Sequence, residues 1–489
     1  MKRVVISNAY FYPLDKKQWR FKQPYPPLGT LLATAVVRNL GFEVTFYDTN
    51  LEDDPRKTAE KIIGLEPDYV LIFEDGFNYL TKMCLTTMRE AAHVLIRAVH
   101  TANAVTIVSS SDATDHADLY LAAGADFVIK GEGEQTLQEL LTVLEQGKAT
   151  DSIAGIARNV HGQVVTNPPR AVLRDLDTLP MPAWDLIDIG QYKSIWTKHH
   201  GYFSLNIATT RGCPFKCNWC AKPIYGNRYN SRSPEAVVAE IEWLMQHHHP
   251  DHFWICDDIF GLKPGWVQRF STLIAARNLN IRYKIQSRVD LLLEEETVDA
   301  LAASGAETVW VGAESGSQRI LDAMEKGTTI EQIEGATMKL KQRGIRVGHF
   351  LQFGYLGEKQ DDISATIRMV KRTLPDEIGI SVSYPLPGTK FYEKVKSDLS
   401  VKSNWKDSDD LDMMFKNTYP ALYYKILHRY VHSVHRIKRS MVMLKEWISA
   451  PQLISARQLR KIFALAYHIP MSVLRYLELR IIHHASSGR

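Results

Sequence analysis

The sequence predicts an α/β protein made of two successive strand–helix regions and a helical carboxyl-terminal region. Short apolar runs rich in β-branched residues alternate with helical periodicity twice along the 489 residues, first up to residue 150 and again from residue 202. Alternation at this spacing is typical of parallel sheets covered by helices. After residue 395 the strand-like runs stop and only helical periodicity continues.

The composition indicates an ordinary globular protein, with 45% hydrophobic and 23% charged residues. The sequence contains no apolar run long enough to span a membrane. The amino-terminal residues lack the length and the cleavage site of a signal peptide and are predicted to form a first strand. We therefore expect a cytoplasmic protein whose thiols stay reduced.

Residues 1–150 are predicted to form a doubly wound parallel sheet, which binds ligands at the carboxyl ends of its strands. The predicted strands are Val4–Ser7, Val44–Tyr47, Tyr69–Phe73, Val105–Val108 and Phe127–Ile129. The predicted helices are Gly29–Leu40, Arg56–Leu65, Tyr79–Val99, His116–Ala123 and Glu134–Leu144. Residues 151–201 contain several prolines and few periodic runs, so an extended connector between domains is expected there.

Residues 202–395 contain six strand–helix repeats, which predict a partial (β/α)6 barrel. Active residues of such barrels belong at the carboxyl ends of the strands. The predicted strands are Tyr202–Ile207, Phe253–Cys256, Arg282–Gln286, Thr308–Val311, Val347–Phe353 and Ile378–Val382.

Three cysteines follow the first barrel strand with the spacing Cys-x3-Cys-x2-Cys, at Cys213, Cys217 and Cys220. Three thiolates do not complete a structural zinc site, which takes four ligands. They suit a [4Fe–4S] cluster that keeps one iron free for a small molecule. A zinc site completed by Cys256 or a histidine stays open as an alternative, whereas the low cysteine count disfavours a disulfide.

The cysteine motif resembles the signature of the radical S-adenosylmethionine (SAM) enzymes. The resemblance implies that the amino and carboxylate groups of SAM chelate the free iron and that Trp219 lies beside the adenine of SAM. Sequences at the other strand ends resemble this family in the correct order, namely Cys256-Asp-Asp-Ile-Phe260, Gln286-Ser-Arg-Val-Asp290, Val311-Gly-Ala-Glu-Ser-Gly316, Phe353-Gly-Tyr-Leu-Gly-Glu358 and Pro385-Leu-Pro-Gly-Thr389.

These strand ends supply three further candidate ligands of SAM. Asp257 is expected to accept hydrogen bonds from the SAM amino group. Arg288 offers a guanidinium suited to a carboxylate, and the resemblance implies that Glu314 accepts the ribose hydroxyls. We expect no catalytic side chain beyond the ligands of the cluster and of SAM. Leu356 replaces a proline that is usual in the family, which costs loop stiffness and not chemistry.

Two segments of the first region resemble the cobalamin-binding domains that precede many radical SAM barrels. They are Tyr25-Pro-Pro-Leu-Gly-Thr30 and Asp126-Phe-Val-Ile-Lys-Gly-Glu-Gly-Glu134. Gly131 and Gly133 are expected to let the backbone approach the cofactor closely. Where such domains usually carry Gly-Gly-x-His, this chain has Ser109-Ser110-Ser-Asp112. Either the serine hydroxyls hydrogen-bond the nucleotide tail, or the pocket has lost the cofactor.

Residues 396–489 are predicted to be mostly helical and are strongly basic towards their end. From residue 421 onward, 12 Lys and Arg stand against 2 Asp and Glu. A basic amphipathic helix suits contact with an anionic membrane. Docking of an anionic substrate and a solvated helical cap are the alternatives. A nucleic-acid partner is not expected, because the chain shows no nucleic-acid-binding fold.

The leading hypothesis is a radical SAM enzyme similar to the cobalamin-dependent methylases and the anaerobic magnesium-protoporphyrin ester cyclases. The resemblance implies cleavage of SAM to a 5′-deoxyadenosyl radical and cobalamin-dependent methylation of an unactivated carbon. The substrate is expected to be a lipophilic or anionic small molecule, and the electron donor a flavodoxin or a ferredoxin. One alternative is a cobalamin-free radical SAM oxidase or cyclase with a vestigial first domain. Another is a non-catalytic metal-binding scaffold at the inner face of the membrane.

Overall fold

The computed structural model describes residues 2–77, 83–220, 222, 224–294, 296–400, 402, 404–449 and 456–487. The chain folds into two compact units. The first comprises residues 1–214, 222–286 and 404–410, and the second comprises residues 215–221, 287–403 and 411–489.

The first unit contains a seven-stranded sheet of order β2-β1-β3-β4-β5-β6-β7. Its strands are β1 Arg3–Ser7, β2 Glu43–Phe46, β3 Tyr69–Phe73, β4 Val105–Ser109, β5 Phe127–Ile129, β6 Ile156–Val160 and β7 Gln163–Thr166. The first five strands pair in parallel, and β6 and β7 are antiparallel. Strand β3, the middle one of the five parallel strands, is buried along its whole length, as expected of a parallel strand with both faces covered.

Helices follow the strands of this sheet as the sequence predicts, with one correction. They are α1 Lys16–Phe21, α2 Leu28–Asn39, α3 Pro55–Ile63, α4 Thr86–Thr101, α5 Ser111–Asp115, α6 Ala117–Ala122 and α7 Glu134–Glu145. The helix predicted from residue 79 begins at Thr86, and residues 79–82 of that prediction lie outside the described residues. Cys84 has a left-handed backbone conformation with φ of 56°, and Leu85 is extended, so a helix cannot include them.

The expected extended connector is also corrected, because residues 151–201 contain regular structure. Strands β6 and β7 form a hairpin whose two-residue turn, His161-Gly162, has positive φ at both positions. This is the geometry of a type I′ turn, which His-Gly signals less clearly than Asn-Gly does. Helix α8, Ile189–His200, starts at the capping side chain of Asp188 and ends at Gly201, whose φ is 77°.

The strand–helix repeats that follow are divided between the units. In the first unit, β8 Ser204–Ile207, β11 His252–Ile255 and β12 Tyr283–Ser287 pair in parallel. Helices α9 Pro234–His248 and α10 Trp266–Ala276 lie between them in the chain. A short antiparallel pair, β9 Thr210–Arg211 and β10 Asn230–Ser231, flanks the segment that carries the three cysteines.

In the second unit, β13 Ala306–Glu314, β14 Arg346–Phe353 and β15 Glu377–Val382 pair in parallel. The helices are α11 Val289–Leu293, α12 Thr297–Ala303, α13 Gln318–Ala323, α14 Ile330–Gln342, α15 Gln360–Thr373, α16 Lys390–Val395, α17 Ala421–Ser449, α18 Ala456–Phe463 and α19 Leu465–Ser487. The predicted fold class is confirmed. Among the described residues, no helix combines the length and hydropathy that crossing a membrane requires.

Candidate active site

The antiparallel strands β9 and β10 of the first unit flank the segment that carries the cysteines, and Arg211 is opposite Asn230 in this pair. Gly212 follows β9 with φ of 77°, and a Cβ at this position would lie 2.3 Å from the carbonyl oxygen of Arg228. Only glycine therefore fits immediately before Cys213. The segment begins at a fixed point of the fold, although it has little regular structure of its own.

Arg211 forms a buried ion cluster with two glutamates of the first region. Its guanidinium makes a bidentate contact with Glu134 at 3.1 and 2.6 Å, and it also donates to Glu132. The Arg211 side chain is 3% exposed. Both glutamates belong to the Gly-Glu-Gly-Glu sequence predicted to approach cobalamin, so the same loop supports the residue two positions before Cys213. Burial raises the pKa of Glu132 although Arg211 opposes the shift.

Asp257, predicted to bind the SAM amino group, is committed to the turn that precedes β9. One carboxylate oxygen accepts the backbone N–H groups of Thr209 and Thr210 at 2.7 and 3.0 Å, and the other accepts the hydroxyl of Thr209. The residue is 1% exposed, and burial raises its pKa to about 6. In this arrangement Asp257 fixes the entry to the cysteine segment. That it binds SAM stays a prediction.

In the second unit, Asn218 anchors the cysteine segment between Cys217 and Cys220. Its side-chain amide donates to the carbonyl oxygen of Ala323 at 2.7 Å, and its amide oxygen accepts the hydroxyl of Tyr355 at 2.9 Å. Its backbone N–H donates to the carbonyl oxygen of Met324, and its own carbonyl accepts the N–H of Phe391. Three parts of the second unit therefore hold this one residue.

Trp219 packs against the apolar cluster that includes Met324, Tyr355 and Phe391. Its indole nitrogen is buried and has no hydrogen-bond partner among the residues that the structure describes. Such unsatisfied buried donors are rare and point to a ligand or a solvent molecule. The predicted position of Trp219 beside the adenine of SAM is compatible with this free donor and stays a prediction.

Arg288, predicted to bind a carboxylate, lies 6% exposed with its face 3.6 Å from the ring centroid of Phe215. Its guanidinium donates to Asp290 at 3.0 and 3.1 Å, to the carbonyl oxygen of Lys326 at 3.2 Å and to that of Gly327 at 3.5 Å. The side chain thus joins Phe215 of the cysteine segment to the loop after α13.

Glu314, predicted to bind the ribose, ends β13 with an unusual left-handed φ of 56°. Non-glycine residues in this conformation are strained and concentrate at functional sites. The Glu314 carboxylate accepts a 2.8 Å hydrogen bond from the ammonium of Lys326. A Cβ on Gly312 would lie 2.5 Å from this ammonium and 2.6 Å from the carboxylate, so glycine there leaves the pair its space.

Lys326 is 9% exposed. Burial lowers the pKa of its ammonium, but Glu314 and then Cys217 outweigh burial and raise the pKa above its ordinary value. Lys326 is therefore a buried cation within electrostatic reach of a predicted cluster ligand.

Cys213, Cys217 and Cys220 are each partly exposed. Among the described residues, no three His, Cys, Asp or Glu side chains, the three cysteines included, are grouped closely enough to hold a metal ion. The donor chemistry still fits an iron–sulfur cluster, because three accessible sulfur donors lie on a segment fixed at Gly212 and at Asn218.

The loops of the first sheet line a partly open cavity at the carboxyl ends of β3 and β4. It is lined by Gly29, Phe73, Glu74, Gly76, Ser109, Ser110, Ser111, Gly131, Gly133, Glu134, Ile224 and Tyr225. A Cβ on Gly133 would lie 2.6 Å from the ring of Phe73 and 2.9 Å from the hydroxyl of Ser109, so close packing requires glycine here. All four cofactor-pocket residues predicted from the sequence, Ser109, Ser110, Gly131 and Gly133, therefore line one cavity.

The polar side chains of the serine loop, residues 109–112, are of two kinds. Some have hydrogen-bond partners within the protein, and others are available to a ligand. Ser110 caps α5 by accepting the N–H of Ala113 at 2.8 Å. Asp112 is occupied by Arg89, through two hydrogen bonds of 2.5 Å, and by the hydroxyl of Tyr120. The buried hydroxyl of Ser111 has no hydrogen-bond partner within the described part of the chain. The cavity thus fits a polar ligand group, and the Ser111 hydroxyl is one group available to bind it.

Comparison with known proteins agrees with both halves of this arrangement. The radical SAM superfamily model matches residues 207–370, and the B12 binding domain model matches residues 20–141. An uncharacterized methyltransferase of Pyrococcus horikoshii is 29% identical over 399 residues, which cover 80% of this chain and 83% of the relative. The anaerobic magnesium-protoporphyrin IX monomethyl ester cyclase of Rubrivivax gelatinosus is 27% identical, covering 77% of this chain and 67% of the cyclase.

A solved structure supports the fold. The radical SAM methyltransferase TsrM of Kitasatospora setae, with cobalamin and a [4Fe–4S] cluster bound, aligns with a TM-score of 0.68 at 21% identity, covering 81% of this chain and 75% of TsrM. At this identity the likeness concerns the fold alone.

The predicted resemblance is confirmed, because the chain carries a radical SAM domain and a B12-binding domain together. The chain is an enzyme of the kind that includes radical SAM methyltransferases and cyclases. SAM, an iron–sulfur cluster and cobalamin are the cofactor classes of such enzymes, as predicted. Radical SAM enzymes act on small molecules and need a reductant, which agrees with the predicted partners.

Four residues that are connected structurally to the cysteine segment were not predicted from the sequence. They are Arg211, Asn218, Lys326 and Tyr355. Arg211 and Asn218 stand within the cysteine motif, where a charged or amide side chain next to cysteines is a usable signal. Lys326 and Tyr355 lie in the loops after α13 and β14, and nothing in their local sequence distinguishes them.

Proposed function

We propose that this enzyme uses a [4Fe–4S] cluster held by Cys213, Cys217 and Cys220 to cleave SAM for the methylation of an unactivated carbon. The observation that carries the proposal is the coexistence, in one chain, of the fixed three-cysteine segment and the glycine-lined cavity in the first sheet. Residues 1–150 would serve cobalamin, residues 202–395 would serve SAM and the cluster, residues 151–201 would connect them, and residues 396–489 would act separately.

When bound, these cofactors supply the following chemistry. A cluster held by Cys213, Cys217 and Cys220 would pass an electron from a flavodoxin or ferredoxin to SAM, and so supply the 5′-deoxyadenosyl radical that abstracts a hydrogen atom from the substrate carbon. Cobalamin in the cavity lined by Gly131 and Gly133 would supply the methyl group that replaces this hydrogen. The protein's contribution is to hold the three thiolates, to position SAM and to exclude water.

The cluster is tested by Cys217→Ala after anaerobic reconstitution. The substitution removes one of three sulfur ligands, so the variant is expected to form no 5′-deoxyadenosine from SAM while its thermal unfolding stays close to that of the wild type. Cys84→Ala is the matched control, because Cys84 stands in a turn of the first unit, and it should cleave SAM at the wild-type rate. Cleavage by Cys217→Ala at that rate would refute the cluster assignment.

Cobalamin is tested by purification in the presence of hydroxocobalamin. We expect one corrinoid per chain, and weaker retention by Ser111→Ala, because the substitution removes the available hydroxyl of the cavity. Thr142→Ala is a control, since its exposed hydroxyl bonds only its own helix. If the wild type retains no corrinoid but still forms 5′-deoxyadenosine, a cobalamin-free oxidase or cyclase is the better description. Zinc in place of iron and sulfide would favour the scaffold.

The basic carboxyl-terminal region supports a second element of the proposal, peripheral contact with the inner face of an anionic membrane. Helix α19 exposes seven large apolar or aromatic side chains, Tyr467, Ile469, Val473, Leu474, Tyr476, Leu477 and Ile481. At 3.6 residues per turn these seven fall within about half of the helix circumference. The buried Leu479 lies outside that half, and Arg475 there donates to the carbonyl oxygen of Arg429 on α17 at 3.1 Å.

An apolar helix face this wide needs a cover. Residues 421–489 contain 12 basic and 2 acidic side chains. Because two such regions repel one another, this charge favours an anionic bilayer over a second copy of the same chain as the cover. The wild type is expected to sediment with vesicles of phosphatidylcholine and phosphatidylglycerol, and not with phosphatidylcholine alone. Leu474→Asp should abolish sedimentation, whereas Leu119→Asp, at another exposed leucine outside this region, should not. A dimer in solution in which the second copy covers this apolar face would contradict membrane contact.

A further inference from the structure

Both ends of the segment that carries the cysteines contact the cavity predicted to bind cobalamin. Gly212 directly precedes the first cysteine, and a Cβ there would lie 3.2 Å from the Cβ of Tyr225. Ile224 and Tyr225 come shortly after the third cysteine, and both line the cavity. A Cβ on Gly131, in the cavity loop formed by residues 131–134, would lie 3.5 Å from the carbonyl oxygen of Ile224. The chain before the cysteines and the chain after them therefore meet the wall of one cavity.

Arg211 adds an electrostatic link between the cavity loop and the cysteine segment. Its guanidinium makes a bidentate contact with Glu134, which lines the cavity, and donates a further hydrogen bond to Glu132 of the same loop. The side chain of Arg211 is 3% exposed, and those of the two glutamates are 9% and 6% exposed. A shift of the loop away from Arg211 would separate three buried charges, which is costly.

Two aromatic rings pack against the guanidinium of Arg211. The ring centroids of Phe77 and Tyr225 lie 5.4 and 5.3 Å from it, and the two rings are stacked on one another at 6.1 Å. Tyr225 therefore contacts both the cavity and the arginine. Because closely packed groups transmit displacements to their neighbours, the cavity loop and the residue two positions before Cys213 are expected to move together.

We propose that Arg211 is a positioning residue that couples the two cofactor sites, so that cobalamin in the cavity strengthens the hold of the cysteine segment on its cluster. The proposal rests on the proposed function, since it needs cobalamin in this cavity and a cluster on the three cysteines. A ligand that fixes the cavity loop also fixes the acceptors of Arg211, and through them the backbone before Cys213. Coupling between two binding sites is reciprocal, so the cluster strengthens cobalamin binding by the same factor.

The test measures the dissociation constant of hydroxocobalamin on the full-length enzyme with and without its reconstituted cluster. Anaerobic equilibrium dialysis in the absence of SAM gives both constants without turnover. The cluster-free wild type is expected to bind hydroxocobalamin about tenfold more weakly than the cluster-loaded wild type, a factor that is usual for coupled sites. In the cluster-loaded wild type, hydroxocobalamin should also slow the transfer of iron to a chelator.

The ratio of the two dissociation constants separates positioning from a structural role. Arg211→Lys keeps the positive charge that the two carboxylates need, but an ammonium cannot make the bidentate contact with Glu134, so the ratio is expected to approach unity. Arg232→Lys is the matched control. Arg232 follows β10, on the other side of the cysteine segment, and pairs with Glu240 of helix α9, so its ratio should stay at the wild-type value.

A second variant serves if Arg211→Lys does not fold. Glu132→Gln removes one of the two carboxylates that Arg211 contacts and leaves every residue that lines the cavity unchanged. Its ratio should fall between that of the wild type and unity. An unchanged ratio in Glu132→Gln, in a variant set without a folded Arg211→Lys, would overturn the proposal.

Three further outcomes would also decide against this coupling. If Arg211→Lys weakens both affinities alike and keeps the wild-type ratio, Arg211 has only a structural role. If Arg232→Lys loses the ratio as well, the coupling does not depend on the link through Arg211. Equal constants with and without the cluster, in a wild type that binds one corrinoid per chain, would show that the two sites are independent. A wild type that binds no hydroxocobalamin in either state would instead refute the cobalamin part of the proposed function.

Discussion

Two buried ion groups, one around Arg211 and one around Lys326, differ in how completely their charges are matched. In the first unit, Arg211 meets two carboxylates, those of Glu132 and Glu134, and Phe77 and Tyr225 lie 5.4 and 5.3 Å from its guanidinium. In the second unit, Lys326 meets the single carboxylate of Glu314 and keeps unused donors.

This difference concerns the balance of charge around each cation. Arg211 has two carboxylates for one positive charge, and removing it leaves both carboxylates buried without a partner. Lys326 and Glu314 carry equal and opposite charges. Burial alone therefore does not distinguish the two groups, and the number of carboxylates around the cation does.

The largest effect is expected from Arg211→Met. The substitution leaves two buried carboxylates uncompensated, and breaking a buried ion pair in this way costs about 3–5 kcal/mol. We expect the free energy of unfolding in urea to fall by this amount. Arg269→Met is the control, because its partner Glu235 is 49% exposed, and surface pairs contribute about 0–1 kcal/mol. If the free energy of unfolding falls no further in Arg211→Met than in the control, the Arg211 group does not differ in kind from the Lys326 group.

Asn218→Ala is expected to have the next largest effect. It removes the side-chain hydrogen bonds to Ala323 and from Tyr355, and each lost hydrogen bond costs about 0.5–1.5 kcal/mol. The Tyr355 hydroxyl still donates to the carbonyl oxygen of Ala323 at 2.8 Å, so neither group is left without a partner. The cysteine segment should then hold its cluster less firmly, which iron and sulfide content after gel filtration measures. Asn227→Ala, an exposed asparagine after the same cysteines, should retain both at wild-type levels. Equal retention by the two variants would deny Asn218 a role in placing the segment.

Gly312→Ala tests the second ion group without changing any charge. The added Cβ would stand 2.5 Å from the Lys326 ammonium and 2.6 Å from the Glu314 carboxylate, so the pair must move apart. We expect the dissociation constant for SAM to rise by about tenfold, which corresponds to about 1.4 kcal/mol. Gly335→Ala is the control, because a Cβ there meets only Leu293, at 3.4 Å. Unchanged affinity in Gly312→Ala would mean that SAM does not depend on this pair.

The smallest effect concerns pH and Glu358. This residue is fully buried, with one oxygen accepting the N–H of Gly354 at 2.6 Å, and burial raises the pKa of its carboxyl to about 8. The folded state therefore binds a proton that the unfolded state has released, so stability falls as pH rises towards the folded pKa. Between pH 7 and 8 the expected loss is about 1 kcal/mol.

Glu358→Gln keeps the neutral form and should remove this part of the pH dependence. The slopes of unfolding free energy against pH are compared in the wild type, in Glu358→Gln and in Glu393→Gln, whose side chain is 63% exposed. Identical slopes in all three proteins would show that Glu358 is ionised in the folded state at neutral pH.

The sequence by itself determined the order of strands and helices, the three cysteines and the glycines of the cofactor loops. These features are local, because hydrophobic periodicity and ligand spacing act over a few residues. Gly131 and Gly133 could be assigned to one loop, and the structure places them with Ser109 and Ser110 around one cavity. The hairpin at His161-Gly162 and the start of α4 were missed, because turn signals there are weak.

Tertiary structure alone decided which charged and polar side chains meet. Arg211 and Glu132 are separated by 79 positions, and Asn218 and Ala323 by 105. Sequence pattern assigned carboxylate binding to Arg288, whereas the folded chain gives that arginine protein acceptors and leaves a lysine beside it with unused donors. The physical reason is that hydrogen-bond saturation depends on every group that folding brings near, and no local spacing records it.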